Sequence, residues 1–223
     1  TGGNTWNVVH SFGTDVNART RAFEISRSNP NVMYLFQAAA YTWDPGKLWK
    51  TTNGGTAWTQ LTLPPGYARR MVMTLSPEDE NLLWVAYPDG DNGQKVYKTT
   101  NGGQTWINIT TSALNNEHIT SILHQGGTDG VVYLGTYRTI WVRNDAMNNW
   151  TLYNEGLPVS VSTCILRPFY RDNKLRLSAY SKGIWETPFF APSRPVAQPM
   201  VNKRSTNCPG DTLLFDDYSM LDH

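Results

Sequence analysis

Nearly the same twelve residues occur twice, as KTTNGGTAWTQL ending at Leu61 and KTTNGGQTWINI ending at Ile109, and they belong to a period that runs through most of the chain. The tryptophan near the end of this stretch recurs as Trp6, Trp58, Trp106 and Trp150, at spacings of 52, 48 and 44 residues. Ahead of it runs a second series: KLWK around Trp49, KVYK around Tyr97, TIWV around Trp141 and GIWE around Trp185. A third series precedes that one, in segments ending at Tyr41, Tyr87, Tyr137 and Tyr180. Three registers that drift together leave room for little except a fold built from repeated units of about 40 to 50 residues.

Each unit reads as four short strands. In the best preserved one these are RMVMTL, NLLWVAY, KVYKTT and TWINIT, separated by SPEDEN, PDGDNG and NGG. The strands are rich in β-branched and aromatic residues and the breaks in turn formers. Nine Trp, eleven Tyr, 18 Gly and 13 Pro fit an all-β chain with many turns. Several middle strands are apolar on successive residues, as expected where a sheet is covered on both faces. Four strands per unit at this period predict β-propeller blades, about four blades' worth.

The residues also carry a family resemblance. The pattern Ser/Thr-x-Asp/Asn-x-Gly-x-x-Trp is filled by Thr51, Asn53, Gly55 and Trp58, and again by Thr99, Asn101, Gly103 and Trp106. Gly3 and Trp6 keep the tail of an earlier copy; a decayed one keeps Asp145 and Trp150, with Arg143 and Met147 where Thr and Gly belong. Residues 1–190 thus resemble the Asp-box (bacterial neuraminidase repeat) propellers, a group that includes sialidases, xyloglucanases, sortilin-type receptors and a photosystem assembly factor. The cysteine-rich module that follows the propeller in sortilin-type receptors has no counterpart here.

The repeated motif sits at the hairpin between third and fourth strands, where an Asn side chain can accept backbone N–H groups and the glycines supply positive φ. The indole then folds back as an apolar plug whose N–H seeks a carbonyl. One short polar group per turn is a poor ligand set, so the motif reads as a structural clasp. No metal and no cofactor are expected, and the glycines lack the helix and Lys-Ser/Thr pair of a phosphate loop.

The resemblance puts these clasps on the rim opposite the substrate face. That opposite face is made by second-to-third-strand loops and by the links between blades. Its candidates are Trp43 and Asp44 in AYTWDPGK, Asp89 and Asp91 in YPDGDNGQ, and Arg19, Arg69, Arg70 and His118 in the links, with Arg138 beside them. Alignment of the first strands on Ile25, Leu75 and Leu123 puts Arg19, Arg69 and Glu117 at one level and Thr20, Arg70 and His118 at the next. Rings beside carboxylates and arginines suit a carbohydrate. Recurrence of Tyr41, Tyr87, Tyr137 and Tyr180 in every unit speaks for packing. Asp44 with Asp89 or Asp91 could be the carboxylate pair of an inverting hydrolase, which separates its acid and base by roughly 6.5 to 9.5 Å. A sialidase set cannot be assembled in full, and no nucleophile elbow accompanies His10, His118 or His124.

Beyond GIWETPFF the period stops. Residues 191–204, with Pro192, Pro195 and Pro199, read as a semi-rigid linker, and 205–223 resemble the opening of a PKD or immunoglobulin-like module of secreted Bacteroidetes-type proteins. The first unit keeps only its fourth strand, TWNVVH, and the last only its first three, so the chain reads as part of a six- to eight-bladed propeller. Alternatively the two incomplete units pair and close a ring of four, with Trp6 packed on the GIWE strand.

With 19 Lys and Arg against 18 Asp and Glu, a net charge of +1, there is no basic footprint for nucleic acid or an anionic membrane. No apolar run reaches transmembrane length, and Cys164 and Cys208 define no disulfide framework. The expectation is an extracellular or cell-surface module that binds or scaffolds polysaccharide or a surface protein. The alternative is a xyloglucanase- or sialidase-like glycoside hydrolase.

Overall fold

A computed structural model describes residues 5–12, 19–38, 45–158 and 160–195, and the backbone of 199–201 and 215–217. The chain folds into antiparallel sheets that follow one another in sequence. Blade 1 comprises β1 (Arg19–Ile25), β2 (Met33–Ala38), β3 (Lys47–Thr51) and β4 (Thr59–Leu61). Blade 2 comprises β5 (Val72–Leu75), β6 (Leu83–Ala86), β7 (Val96–Thr99) and β8 (Ile107–Asn108). Blade 3 comprises β9 (Ile119–His124), β10 (Val132–Thr136), β11 (Ile140–Arg143) and β12 (Thr151–Leu152). Blade 4 has three strands, β13 (Thr163–Phe169), β14 (Lys174–Ala179) and β15 (Gly183–Pro188). Strands are ordered in each blade as in the sequence, and the first strands β1, β5, β9 and β13 lie side by side around an axis. This is the arrangement of propeller blades, as the period predicted.

Three apolar cores explain the middle strands. The seam between blades 1 and 2 joins Tyr34, Phe36 and Leu48 to Met71, Met73 and Leu75. Blades 2 and 3 meet through Trp84, Val96, Ile122, Leu134 and Trp150, and blades 3 and 4 through Tyr133, Ile140, Leu166, Leu175 and Leu177. Every residue of β6 and of β10 is buried, because each of these strands has a blade on either face. Their unbroken apolar runs are the sequence trace of that double cover.

The closed ring of four is not formed. Trp6 is 90% exposed, and no strand pairs with the outer edge of β15 among the described residues. Instead residues 5–12 lie along blade 1, where Phe12 packs its ring against Trp49 and Trp58, and His10 against Phe12. The predicted linker also behaves differently at its start. Residues 189–195 are docked under blade 3: Gln125 Nε2 donates to Ala191 O (2.7 Å) and Ser193 Oγ (2.6 Å), and the Arg194 N–H donates to Gly127 O (2.6 Å). A small ladder follows between β16 (Pro199–Val201) and β17 (Phe215–Asp217). Cys208 lies outside the described residues; Cys164 falls within β13, with its side chain outside them.

Candidate functional site

The two rims of the arc are chemically different. One carries the repeated hairpin turns, whose polar groups are spent on one another. Thr51 Oγ1 donates to Asn53 Oδ1 (2.9 Å) and accepts from the Gly55 N–H (3.1 Å), while Asn53 Oδ1 accepts from the Ala57 N–H (2.9 Å). Thr99, Asn101, Gly103 and Thr105 repeat these bonds at 2.9, 3.0 and 2.9 Å. Gly55 and Gly103 have φ of +91° and +88°, which only glycine adopts without strain. The Trp106 indole N–H reaches Thr62 O (3.0 Å) and that of Trp150 reaches Ile109 O (2.8 Å), so each ring fastens its turn to the preceding blade. Trp58 instead bonds Gly55 O within its own turn (3.0 Å). In the third copy Asp145 has left the turn: both its oxygens take the Lys98 ammonium, at 2.8 and 2.7 Å.

The opposite rim is built from the links and the second-to-third-strand loops, stitched together by backbone bonds. The Gly46 N–H donates to Ala68 O (2.9 Å), Ile119 to Pro88 O (3.3 Å), Tyr137 to His118 O (3.2 Å) and Val161 to Arg138 O (3.2 Å). Each loop is thereby clamped to the link beside it. At the boundary of blades 2 and 3 this brings four of the sequence-predicted neighbourhoods together.

Asp89 stands at the centre of that cluster. Its Oδ1 lies 3.0 Å from His118 Nδ1, and its Oδ2 3.9 Å from Arg70 Nε. Nδ1–H is the donor, so Asp89 fixes the ring and leaves Nε2 without a protein partner among the described residues. The His118 ring stacks on Tyr137 with centroids 4.0 Å apart and planes at 15°. Tyr137 itself remains 52% exposed. Beneath, Lys95 is buried, and its ammonium donates to Gly90 O (2.5 Å) and Glu117 O (2.9 Å). Burial pushes the Lys95 ammonium below its ordinary range, and the carboxylates of Asp91, Glu117 and Asp89 pull the other way. Because Gly90 follows Asp89 and Glu117 precedes His118, this one cation ties the two halves of the site to each other. Glu117 Oε2 is buried without a hydrogen-bond partner.

Of the other candidates, Asp91 is exposed and offers its carbonyl to the Gln94 N–H (2.9 Å). Arg138 is exposed, with its backbone engaged by Thr136 Oγ1 and by Val161. Arg69 is half-buried and Arg19 exposed at the start of β1; neither joins the Asp89 cluster. Trp43, Asp44 and Tyr41 lie outside the described residues. The recurrent tyrosines divide. Tyr87 is fully buried and its hydroxyl bonds Pro64 O (2.8 Å), whereas Tyr137 and Tyr180, at 52% and 74% exposure, face solvent. Lys95 and Tyr137 were not singled out in the sequence. Lys95 occupies an ordinary strand position, and the recurrence of Tyr137 disguised it as packing.

Among the described residues no group of three or more His, Cys, Asp or Glu is placed to hold a metal ion. No helix among them is long and apolar enough to cross a membrane.

No protein-family model matches the chain, and no curated protein matches it. Solved structures do. The GH74 enzyme of Niastella koreensis aligns over 75% of this chain and 28% of its own, with 18% identity and a TM-score of 0.56. An ancestral GH74 enzyme aligns over 76% and 25%, with 18% identity and a TM-score of 0.62. YCF48, solved with a D1 peptide bound, aligns over 83% and 56%, with 18% identity and a TM-score of 0.55. The chain therefore spans about a quarter of the GH74 enzymes' length and about half of YCF48's. At such identity these likenesses speak for the fold: the chain is built as propeller blades.

Proposed function

We propose that this chain is a carbohydrate-binding propeller module, non-catalytic in itself, that holds a polysaccharide on the rim carrying Tyr137, His118 and Asp89. The observation behind the reading is the state of Asp89. Both of its oxygens face cationic or N–H donors, so its carboxylate is held inside a bonded cluster. A hydrolase acid or base would need a carboxyl free to exchange protons with the glycosidic oxygen or with water. What the cluster offers a ligand is a half-exposed aromatic face flanked by an imidazole nitrogen and a guanidinium. Those are groups that pack on a sugar's C–H face and bond its hydroxyls. We place the module outside the cell, in a larger protein whose residues 205–223 open an immunoglobulin-like segment, and we take the repeated turns to be Asp-boxes.

The neighbours bracket the alternatives, since GH74 enzymes carry an enzyme's name and YCF48 was solved with a peptide. A glycan array followed by calorimetry on the best binder separates the three. We expect binding without release of reducing sugar, and a Tyr137→Ala variant about tenfold weaker, the equivalent of about 1.4 kcal/mol. Release of sugar that Asp89→Asn abolishes would instead establish a hydrolase. Binding to peptides with no glycan retained would establish a protein scaffold.

A further inference from the structure

The pair Asn-Gly occurs three times in the chain, as Asn53-Gly54, Asn92-Gly93 and Asn101-Gly102. It is chemically labile, because a backbone nitrogen that no side chain shields can close on the asparagine's own amide carbon. The three copies differ in what holds that nitrogen. In the repeated turns it is tied down: the Gly54 N–H donates to Asn31 O (3.0 Å) and the Gly102 N–H to Asn81 O (2.9 Å). Gly54 is half-buried there and Gly102 buried. The Gly93 N–H has no partner among the described residues. Gly93 is exposed, and a Cβ built on it would meet nothing within 4 Å.

The carbonyl under attack is prepared in all three copies. Asn53 Oδ1 and Asn101 Oδ1 each accept a threonine hydroxyl and a backbone N–H. Asn92 Oδ1 accepts the Asn116 N–H (2.9 Å). A donor on that oxygen draws charge from the amide carbon and stabilises the oxyanion that forms on attack. The Gly93 peptide is also held in place, since its carbonyl accepts from Asn108 Nδ2 (2.7 Å). Of the three copies, Asn92 alone joins a polarised carbonyl to an unengaged nitrogen in open water.

We propose that Asn92 is a site of spontaneous covalent modification whose product remodels the rim carrying Asp89 and His118. The Gly93 nitrogen gives its proton to solvent base and bonds to Asn92 Cγ. The tetrahedral centre then expels the side-chain nitrogen as ammonia, leaving a five-membered succinimide. Water opens this ring at either carbonyl: rupture of the bond to Cγ yields aspartate, and rupture of the original peptide bond yields isoaspartate. One water is consumed and one ammonia released, with no oxidation or reduction. Position 92 lies midway between Asp89, which holds His118, and Lys95, whose ammonium binds Gly90 O and Glu117 O. Either product adds a negative charge there, and isoaspartate lengthens the loop by a methylene.

For the test, the whole chain is incubated in mildly alkaline buffer, folded or in guanidinium, and each asparagine is followed by peptide mass spectrometry. In the folded chain Asn92 should convert at least about tenfold faster than Asn53 or Asn101, whose glycines must first give up a backbone hydrogen bond. In guanidinium the three rates should converge. Ammonia release from the folded chain should collapse in Asn92→Gln, whose longer side chain closes a ring less readily. Equal rates in the folded chain would overturn the inference, as would ammonia release unchanged in the variant. A lead of Asn92 that persists in guanidinium would overturn it too, because neighbouring residues and not the fold would then set the rate. The isoaspartyl chain, separated by its added charge, tests the effect on the rim. The His118 ring protons, shielded by the stack on Tyr137, should move toward free-imidazole positions, and unmoved resonances would overturn the claim on the rim.

Discussion

Thr99 is fully buried, and its hydroxyl uses its whole bonding capacity within one turn: it donates to Asn101 Oδ1 and accepts from the N–H groups of Asn101 (3.3 Å) and Gly103. Valine has the same shape and none of these bonds, so Thr99→Val would strand two backbone donors. An unsatisfied buried donor costs about 1–3 kcal/mol, and we expect a loss of about 2 kcal/mol in denaturant unfolding, with Thr51→Val in the same direction. A change under about 0.5 kcal/mol would mean that water replaces the hydroxyl. Gly103→Ala tests the other half of the turn. Its φ of +88° penalises any side chain by about 1 kcal/mol, while the Leu61 methyl in its way can shift aside. This turn was legible in the sequence because its bonds run over four residues, within reach of a motif. Tyr137 was not, since nothing local distinguishes it from Tyr87. What separates them is whether a neighbouring link covers the ring.

At the scale of elements, strands and their blade register could be read from period and turn residues, but the docked segment 189–195 could not. Prolines at 192 and 195 announce a stiff backbone; they say nothing about which side chain will capture its carbonyls. That side chain is Gln125, fully buried and nearly seventy residues away in sequence. Its Oε1 accepts from the Tyr133 hydroxyl (2.7 Å), and that hydroxyl accepts from the Phe190 N–H (2.8 Å). Arg194 adds an ion pair to Asp129 at 2.9 Å, exposed and so worth little. The buried amide is therefore the anchor. In Gln125→Leu the Ala191 carbonyl and the Tyr133 hydroxyl lose partners, and the segment should open without unfolding the blades. Limited chymotrypsin digestion reads this directly: cleavage after Phe190, which is followed by Ala191, should accelerate at least several-fold in the variant. Equal rates would assign the anchoring to the apolar contacts of Phe189 and Ala191.

For the whole molecule, two titratable groups on different blades, His124 buried and Glu24 half-buried, give stability opposite dependences on pH. His124, on β9, stacks against Trp84 at 4.2 Å and donates from Nδ1 to Val131 O at 2.9 Å. Burial lowers its pKa to about 4, with the Lys98 charge helping and the Val131 bond opposing. Between about pH 4 and 6.5 the unfolded chain holds a proton here that the folded one refuses, so this group makes stability rise with pH. Glu24, on β1, is raised to about 7 by burial, against the pull of Arg167 and Arg27. Between about pH 4.5 and 7 the folded chain holds a proton that the unfolded one has lost, so this group makes stability fall as pH rises. The two slopes nearly cancel between pH 4.5 and 6.5, and difference curves against the wild type expose each. Glu24→Gln should gain on the wild type as pH increases from 4.5 to 7. His124→Phe, which keeps the stacking on Trp84, should lose ground as pH increases from 4 to 6.5. Denaturant midpoints at half-unit pH steps suffice. Difference curves that tilt the same way would show that one of the two side chains is hydrated in the folded chain.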